Sequence, residues 1–437
     1  MRSIAGARRG IKNADGSDRL LNEATHFSAV LLLLCIPFRA TVDKRGGRLA
    51  LVVLLLACML ARRHEWGACL PDSRALRVAG LVWLLSTFMW ALFGPTADES
   101  LQILRRDVLS PILGFCVFYA LTKTRTDLMR WVLLAFAVQT LVAILAVLDP
   151  FQPNVTTHRP AYIDVGVLSA WLVIIAALLP LLWWAPRRLR ARYRPLAVVM
   201  AISLGAAAFA SGNRLIWFCF AVMFLAGTML PFLVARAGIA QRATNVKPPT
   251  PLLMALVAGL LLLAWLSLQL RGPVAGAGPD NSISYVLDDP RKILWNEAFQ
   301  VIADEPLTGH GFGVSALRAK FVALTTKPNT APGFEHAHNM VLDYGMQMGI
   351  PGMVVIVTLF AALAHAFGSV VLASPTALAR LAATCGIALV AGFVLRNMAD
   401  DFFLRQPALL FAMVAGMLLG AARPRPRSRR NGAVTLR

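Results

Sequence analysis

The sequence predicts an all-α polytopic membrane protein of about 12 transmembrane helices, with one long extracytoplasmic loop containing amphipathic helices. Three observations predict it. Of 437 residues, 58% are hydrophobic and only 15% charged, where soluble chains carry roughly 25% charged residues. The apolar residues come in blocks long enough to cross a bilayer, which takes about 20 residues per helix. A single long polar interruption, 271–350, breaks the series late in the chain.

Runs bounded by charge, Pro or Gly place spans near 27–41, 47–62, 77–95, 107–123, 128–148, 165–185, 196–211, 214–234 and 251–270. Three more follow near 352–373, 378–397 and 405–423. The first 25 residues are polar and basic, and the apolar run from Phe27 leads into further spans, so no cleavable leader is expected. The organisation expected is a cytoplasmic basic tail (1–26), helices 1–9 (27–270), the loop (271–350), helices 10–12 (351–423) and a second basic tail (424–437).

The net charge of +21 could suit nucleic acid, but its placement argues otherwise. Lys and Arg sit in short loops between apolar runs, where they set topology. Most fall on one side if both termini are cytoplasmic, including Arg187, Arg188, Arg190, Arg192, Arg194 and the tail from Arg423. The short loop with Arg39, Lys44, Arg45 and Arg48 runs against that orientation. The partner implied is the bilayer, with no nucleic acid. The six cysteines are scattered, five of them in apolar runs, with no metal-ligand or disulfide spacing.

The orientation puts 271–350 outside the cytoplasm. Long ordered loops are usually functional. After a Gly- and Pro-rich start, Asp289-Pro290 predicts a helix opening, with an Asp cap and Pro in its first turn. Leu294, Ala298, Val301 and Ile302 share one face, and Glu305-Pro306 ends the helix. Gly309, Gly311 and Gly313 mark a turn, and a second amphipathic stretch carries Leu317, Phe321 and Leu324. Both stretches are expected on the membrane surface or capping the bundle.

Glu335-His336-Ala337-His338-Asn339 then runs into the pattern Met340, Val341, Leu342, Tyr344, which stops at Gly349-Ile350-Pro351-Gly352. A short helix is expected, with the histidines at its N-terminus. The positive end of a helix disfavours a protonated imidazole, which biases His338 toward the neutral, proton-accepting form. The pair can equally serve only to satisfy hydrogen bonds at a helix start. Histidines at i and i+2 do not share a helix face, and no HExxH or Cys cluster accompanies them, so no metal is expected.

Arg159, Arg214 and Arg291 fall on the same side as these histidines. Cations at membrane level are costly and tend to mark function, although each can also snorkel as an interface anchor. Together with the histidines they suit a phosphate or pyrophosphate clamp. Asp400 and Asp401, flanked by Arg396 and Arg405, suit structural ion pairs better than catalysis.

The combination resembles the O-antigen ligase superfamily, which includes O-antigen polymerases and protein O-oligosaccharyltransferases. The residues that carry the resemblance are Asp304-Glu305-Pro306-Leu307-Thr308-Gly309-His310-Gly311, then His336-Ala337-His338-Asn339 and Gly349-Ile350-Pro351-Gly352. Arg291 with Trp295 and the junction Asn213-Arg214 match as well, the family pattern having Ser directly before the arginine. The resemblance covers roughly residues 150 to 420. It implies a C-type glycosyltransferase-like fold in the bacterial inner membrane, metal-independent and inverting, with no cofactor and a periplasmic active site. The donor implied is O-antigen on undecaprenyl pyrophosphate, and the acceptor a sugar hydroxyl of lipid A–core oligosaccharide. His338 aligns with the family's catalytic histidine, and Arg159, Arg214 and Arg291 would hold the pyrophosphate. His336, Asn339, Gly309, Gly311, Trp295 and Asp401 would support them.

A polymerase and a protein oligosaccharyltransferase share this chemistry and differ in acceptor. A secondary transporter is the reading from another class. Such transporters commonly show two related halves, and no such symmetry is visible here. A passive scaffold leaves the arginines and histidines unexplained.

Overall fold

The computed structural model describes residues 23, 70–148, 165–184, 187–211, 213, 215–236, 259, 291–313, 336–399 and 403–423. Among these residues every regular element is helical. In chain order they are α1 (Arg74–Phe93), α2 (Ala97–Leu104), a π-helical turn (Arg105–Leu109), α3 (Ser110–Leu121), α4 (Arg125–Leu148), α5 (Val165–Ala176), α6 (Leu179–Trp183) and α7 (Arg187–Ser211). Then come α8 (Leu215–Arg236), α9 (Arg291–Asp304), α10 (Met340–Ala373), α11 (Ala377–Asn397) and α12 (Arg405–Ala421).

Among the described residues, six helical stretches are long and apolar enough to cross a membrane: α1, α4, 166–183, 191–211, α10 and α11. Their outward faces support that reading. Leu81 on α1, Ile144 on α4, Ile202 on α7 and Val354 on α10 are each more than half exposed. Contiguous apolar surface on this scale is rare on soluble monomers and is the normal outer face of a bundle in lipid.

The expected spans from 77–95 to 214–234, and the last three, each fall on described helices. Apart from Glu23 and Gly259, those at 27–41, 47–62 and 251–270, the stretch at 317–324 and both basic tails lie outside the described residues. Two boundaries differ from expectation. The stretch read as a connection near 96–106 holds α2, with Asp98 and Glu99 favourably placed in its first turn and Ile103 and Leu104 buried. α7 begins within the basic run, because arginine is itself a good helix former, and passes through Pro195.

α11 and α12 form the centre, and nearly every residue of α12 is buried. Among the described helices, the most extensive pairing is α3 with α12. Small residues make it possible: a Cβ on Gly416 would collide with the carbonyl of Phe115, and one on Gly420 would lie 2.5 Å from that of Tyr119. Without a hydrophobic drive between helices in lipid, such close backbone approach is a principal source of packing energy. α1, α8 and α10 surround this centre, with α4 and α7 paired beyond.

One end of the bundle gathers the Gly-rich loop after α9, the start of α10, the end of α11 and the π-turn. Trp90 Nε1 donates to the carbonyl of Thr308 there, and Ser100 Oγ to that of Phe312 at 2.5 Å. At the opposite end Tyr119 meets Asp72, and Arg423 lies over the Tyr119 ring.

A candidate active site at the break in helix α10

α10 begins where the sequence predicts. Asn339 is its N-cap: the side-chain oxygen accepts from the amides of Val341 (3.0 Å) and Leu342 (3.2 Å), satisfying two of the unpaired donors of a helix start. Its Nδ2 donates to the carbonyl of Met398 (3.1 Å), tying this start to the end of α11.

The helix breaks at Gly349, whose backbone (φ 68, ψ −166) lies in a region open essentially to glycine alone. Pro351 has no amide, so the carbonyl of Gln347 loses its usual partner. The amide of Ile350 turns away to the carbonyl of Pro306 (2.7 Å), which frees the carbonyl of Met346 as well. Both orphaned acceptors are met by the Gly-rich loop: His310 N–H donates to Met346 (3.0 Å) and Gly311 N–H to Gln347 (3.0 Å). The two glycine motifs of the sequence are thus halves of one joint. Gly309 allows the contact, since a Cβ there would lie 2.5 Å from the backbone of Gln347. Gln347 Oε1 adds a bond from the amide of Gly313 (2.9 Å).

α9 packs on the segment 340–348 by the face read from its periodicity. Leu294, Ala298, Val301 and Ile302 are buried against Ala337, Leu342 and Met346. His310 Nε2 sits 3.0 Å from the carbonyl of Val301, and because a carbonyl only accepts, that nitrogen carries the proton. His310 therefore clamps α9 to the joint.

The His-Ala-His strap hangs between these parts, held at its middle residue. Ala337 is fully buried. Its carbonyl accepts from Trp295 Nε1 (3.0 Å), and its amide donates to Asp343 Oδ1 (2.8 Å) one turn into α10. Asp343 Oδ2 lies 3.9 Å from His336 Nδ1. His338 N–H donates to His336 Nδ1 (3.2 Å), and the two rings lie 4.1 Å apart at 47°. His338 itself has φ 52, a left-handed conformation uncommon outside glycine that concentrates at functional sites. Both histidines keep partial solvent exposure while Ala337 between them has none. The strap thus presents two imidazoles to the outside on an immobilised backbone, as proton transfer at a bound substrate requires.

Of the residues named from the sequence, the structure brings His336, His338, Asn339, Trp295, Gly309 and Gly311 together around this joint. Arg291 is the first residue of α9. Arg159, Arg214, Asp400 and Asp401 lie outside the described residues. Asn213, beside Arg214, starts α8, its side-chain oxygen accepting from the amide of Leu215 (3.1 Å).

Three residues went unassigned in the sequence. Asp343 could have been found as a carboxylate in the first turn of a helix with an Asn cap, where negative charge is favoured. Gln347 carries no such signal. Arg396 was read only as a flank of the two aspartates, yet its side chain is almost fully buried near the end of α11, two residues before Met398. Its Nε and Nη2 donate to Ser169 Oγ on α5, at 3.0 and 2.7 Å.

No curated protein matches the chain. Residues 165–357 match the family model described as O-antigen ligase, a stretch that runs from α5 through Asn213-Arg214, α9, the Gly-rich loop and the strap to the joint in α10. This match bears out the resemblance read from the motifs: the stretch 165–357 is similar to the O-antigen ligase family.

Proposed function

We propose that the chain is an O-antigen ligase, moving a glycan from undecaprenyl pyrophosphate to a sugar hydroxyl of lipid A–core at the periplasmic face of the inner membrane. The observation that carries this reading is the strap pinned at Ala337, which holds His338 beside the joint where the Gly-rich loop meets the break at Gly349.

In this reading the acceptor oxygen forms a bond to the anomeric carbon as the bond from that carbon to the pyrophosphate oxygen breaks. His338 takes the hydroxyl proton. Undecaprenyl pyrophosphate leaves with the bonding electrons, and Arg159, Arg214 and Arg291 offset the charge that develops on it. A single displacement inverts the anomeric centre. His336 orients its neighbour by accepting the amide of His338, and Asp343 holds the strap beneath both. The donor is already activated, so the transfer needs no nucleotide. Twelve spans with both termini cytoplasmic would place the strap outside, with 271–350 as the catalytic loop.

Deleting the gene and complementing with wild type or His338→Ala tests the reading on a lipopolysaccharide gel. A ligase predicts loss of every O-glycan band in the deletion and in the variant, with glycan accumulating on undecaprenyl pyrophosphate. A single repeat left on the core would instead mean a polymerase. An unchanged ladder would remove lipid A–core as the acceptor.

A further inference from the structure

We propose that Arg396 is a positioning residue for the transfer: it holds the first turn of α5, and with it the approach to Arg159, in register with the histidine strap. The inference rests on the base and donor clamp of the ligase reading and names what keeps the two at a set separation.

Arg396 lies in the last turn of α11 and is 1% exposed. A guanidinium buried at membrane level is costly and tends to mark function. Its Nε and Nη2 both donate to Ser169 Oγ on α5, at 3.0 and 2.7 Å. The same hydroxyl donates to the carbonyl of Gly166 (2.8 Å) in the first turn of that helix. Ser169 thereby uses its one donor and both acceptor positions, and the fork of Arg396 is fastened to the start of α5. Helix packing does not require this charge. One turn deeper, α11 already meets its neighbours through Gly392, where a Cβ would lie 2.3 Å from Met223 on α8 and 3.3 Å from Val173 on α5.

From that contact, a step of one turn toward the strap leads to Arg396, Cys219 and Ser169, and the charge of Arg396 reaches Cys219. A further turn brings α8 and α5 to their first residues. In the sequence those starts follow Arg214 and Arg159, two of the three cations proposed for the pyrophosphate. The end of α11 also serves the base. Two residues past Arg396, the carbonyl of Met398 accepts Asn339 Nδ2, and Asn339 caps the helix that follows His338. One helix end is thus bonded to the start of α5 and to the anchorage of the strap. In a single displacement the attacking and leaving oxygens stand on opposite faces of the anomeric carbon, so the separation of base and clamp enters the rate directly.

Steady-state transfer by the detergent-solubilised full chain, with donor and acceptor varied in turn, tests this on Ser169→Ala, Arg396→Lys and the double variant. Ser169→Ala removes the accepting hydroxyl and leaves every other contact of Arg396 in place, so it decides the matter even where Arg396→Lys folds poorly. Each single variant is expected to lower kcat about tenfold, with KM for both substrates within about twofold of wild type and Tm within a few degrees. The double variant is expected to be no slower than the worse single one, since both changes break the same bond. A wild-type kcat in Ser169→Ala overturns the proposal, as does a loss of kcat that tracks a fall in Tm, or losses that multiply in the double variant. A wild type that turns over only with a second repeat unit or a protein acceptor removes the ligase reading alone, and the same comparison with that acceptor then decides the role of Arg396.

Discussion

The two ends of the bundle are built by different rules. At the end marked by Tyr119, helices start with ordinary caps: Ser73 for α1, Thr376 for α11, and a reciprocal Thr124–Asp127 pair before α4. Arg423 closes this end by lying 3.4 Å over the Tyr119 ring. At the end marked by the strap, all six described residues with positive φ are found: Gly309, Gly311, Gly313, Gly349, His338 and Arg405. There the Asn339 side chain caps α10, but the break inside that helix is completed by the backbone of the Gly-rich loop. Strain confined to one end, with regular helices at the other, is how a folded chain holds a reactive geometry without general loss of stability.

The contrast can be broken or sharpened by substitution. Gly349→Ala should have the largest effect, because it combines a disfavoured φ with a Cβ 2.5 Å from the carbonyl of Pro306. Costs of about 1–3 kcal/mol for the backbone alone should unseat the loop. Transfer should fall by roughly a hundredfold or more, readable as loss of O-glycan bands at normal membrane insertion. Asp343→Ala comes next. It leaves the buried amide of Ala337 unsatisfied, at about 1–3 kcal/mol, and should lower kcat about tenfold with little change in donor KM. Trp295→Phe removes one neutral hydrogen bond worth about 1 kcal/mol, and should lower kcat a fewfold. Tyr119→Phe should be smallest. It loses the bond from the Asp72 amide but keeps the ring under Arg423, so Tm should drop slightly and transfer should not change. If Tyr119→Phe reduced transfer as much as Trp295→Phe, the two ends would not be energetically separate.

Much of this was legible in residue patterns because the causes are local. The apolar face of α9, the start of α10 at Asn339 and its break at Gly349 each follow from periodicity, a capping side chain, or a Gly–Pro pair. The pairing of the two glycine motifs was not legible. It depends on which carbonyls the break orphans and on a loop 36 residues away, from His310 to Met346, reaching them. Asp343 escaped notice because one acidic residue in an apolar run looks like an exposed helix position until its partner, the Ala337 amide, is in place. The π-turn has no composition signal, since its meaning lies in the contact between Asp107 and a residue 298 positions later. Arg396 shows the same limit: its hydroxyl partner, Ser169, is 227 residues away.

The segment between the Asn339 cap and the Gly349 break acts as a ruler. One end is stapled to α11 through Met398, the other to the glycine loop through Pro306, Met346 and Gln347. The height and facing of both imidazoles are therefore set by counting residues along one short helix. A residue inserted within 341–348 would turn the strap by about 100° and lift it by about 1.5 Å. Both staples would have to let go to absorb that. Length changes in loops cost far less, so the geometry for chemistry at this site is metered in helical residues, whatever the lengths of the loops that join them.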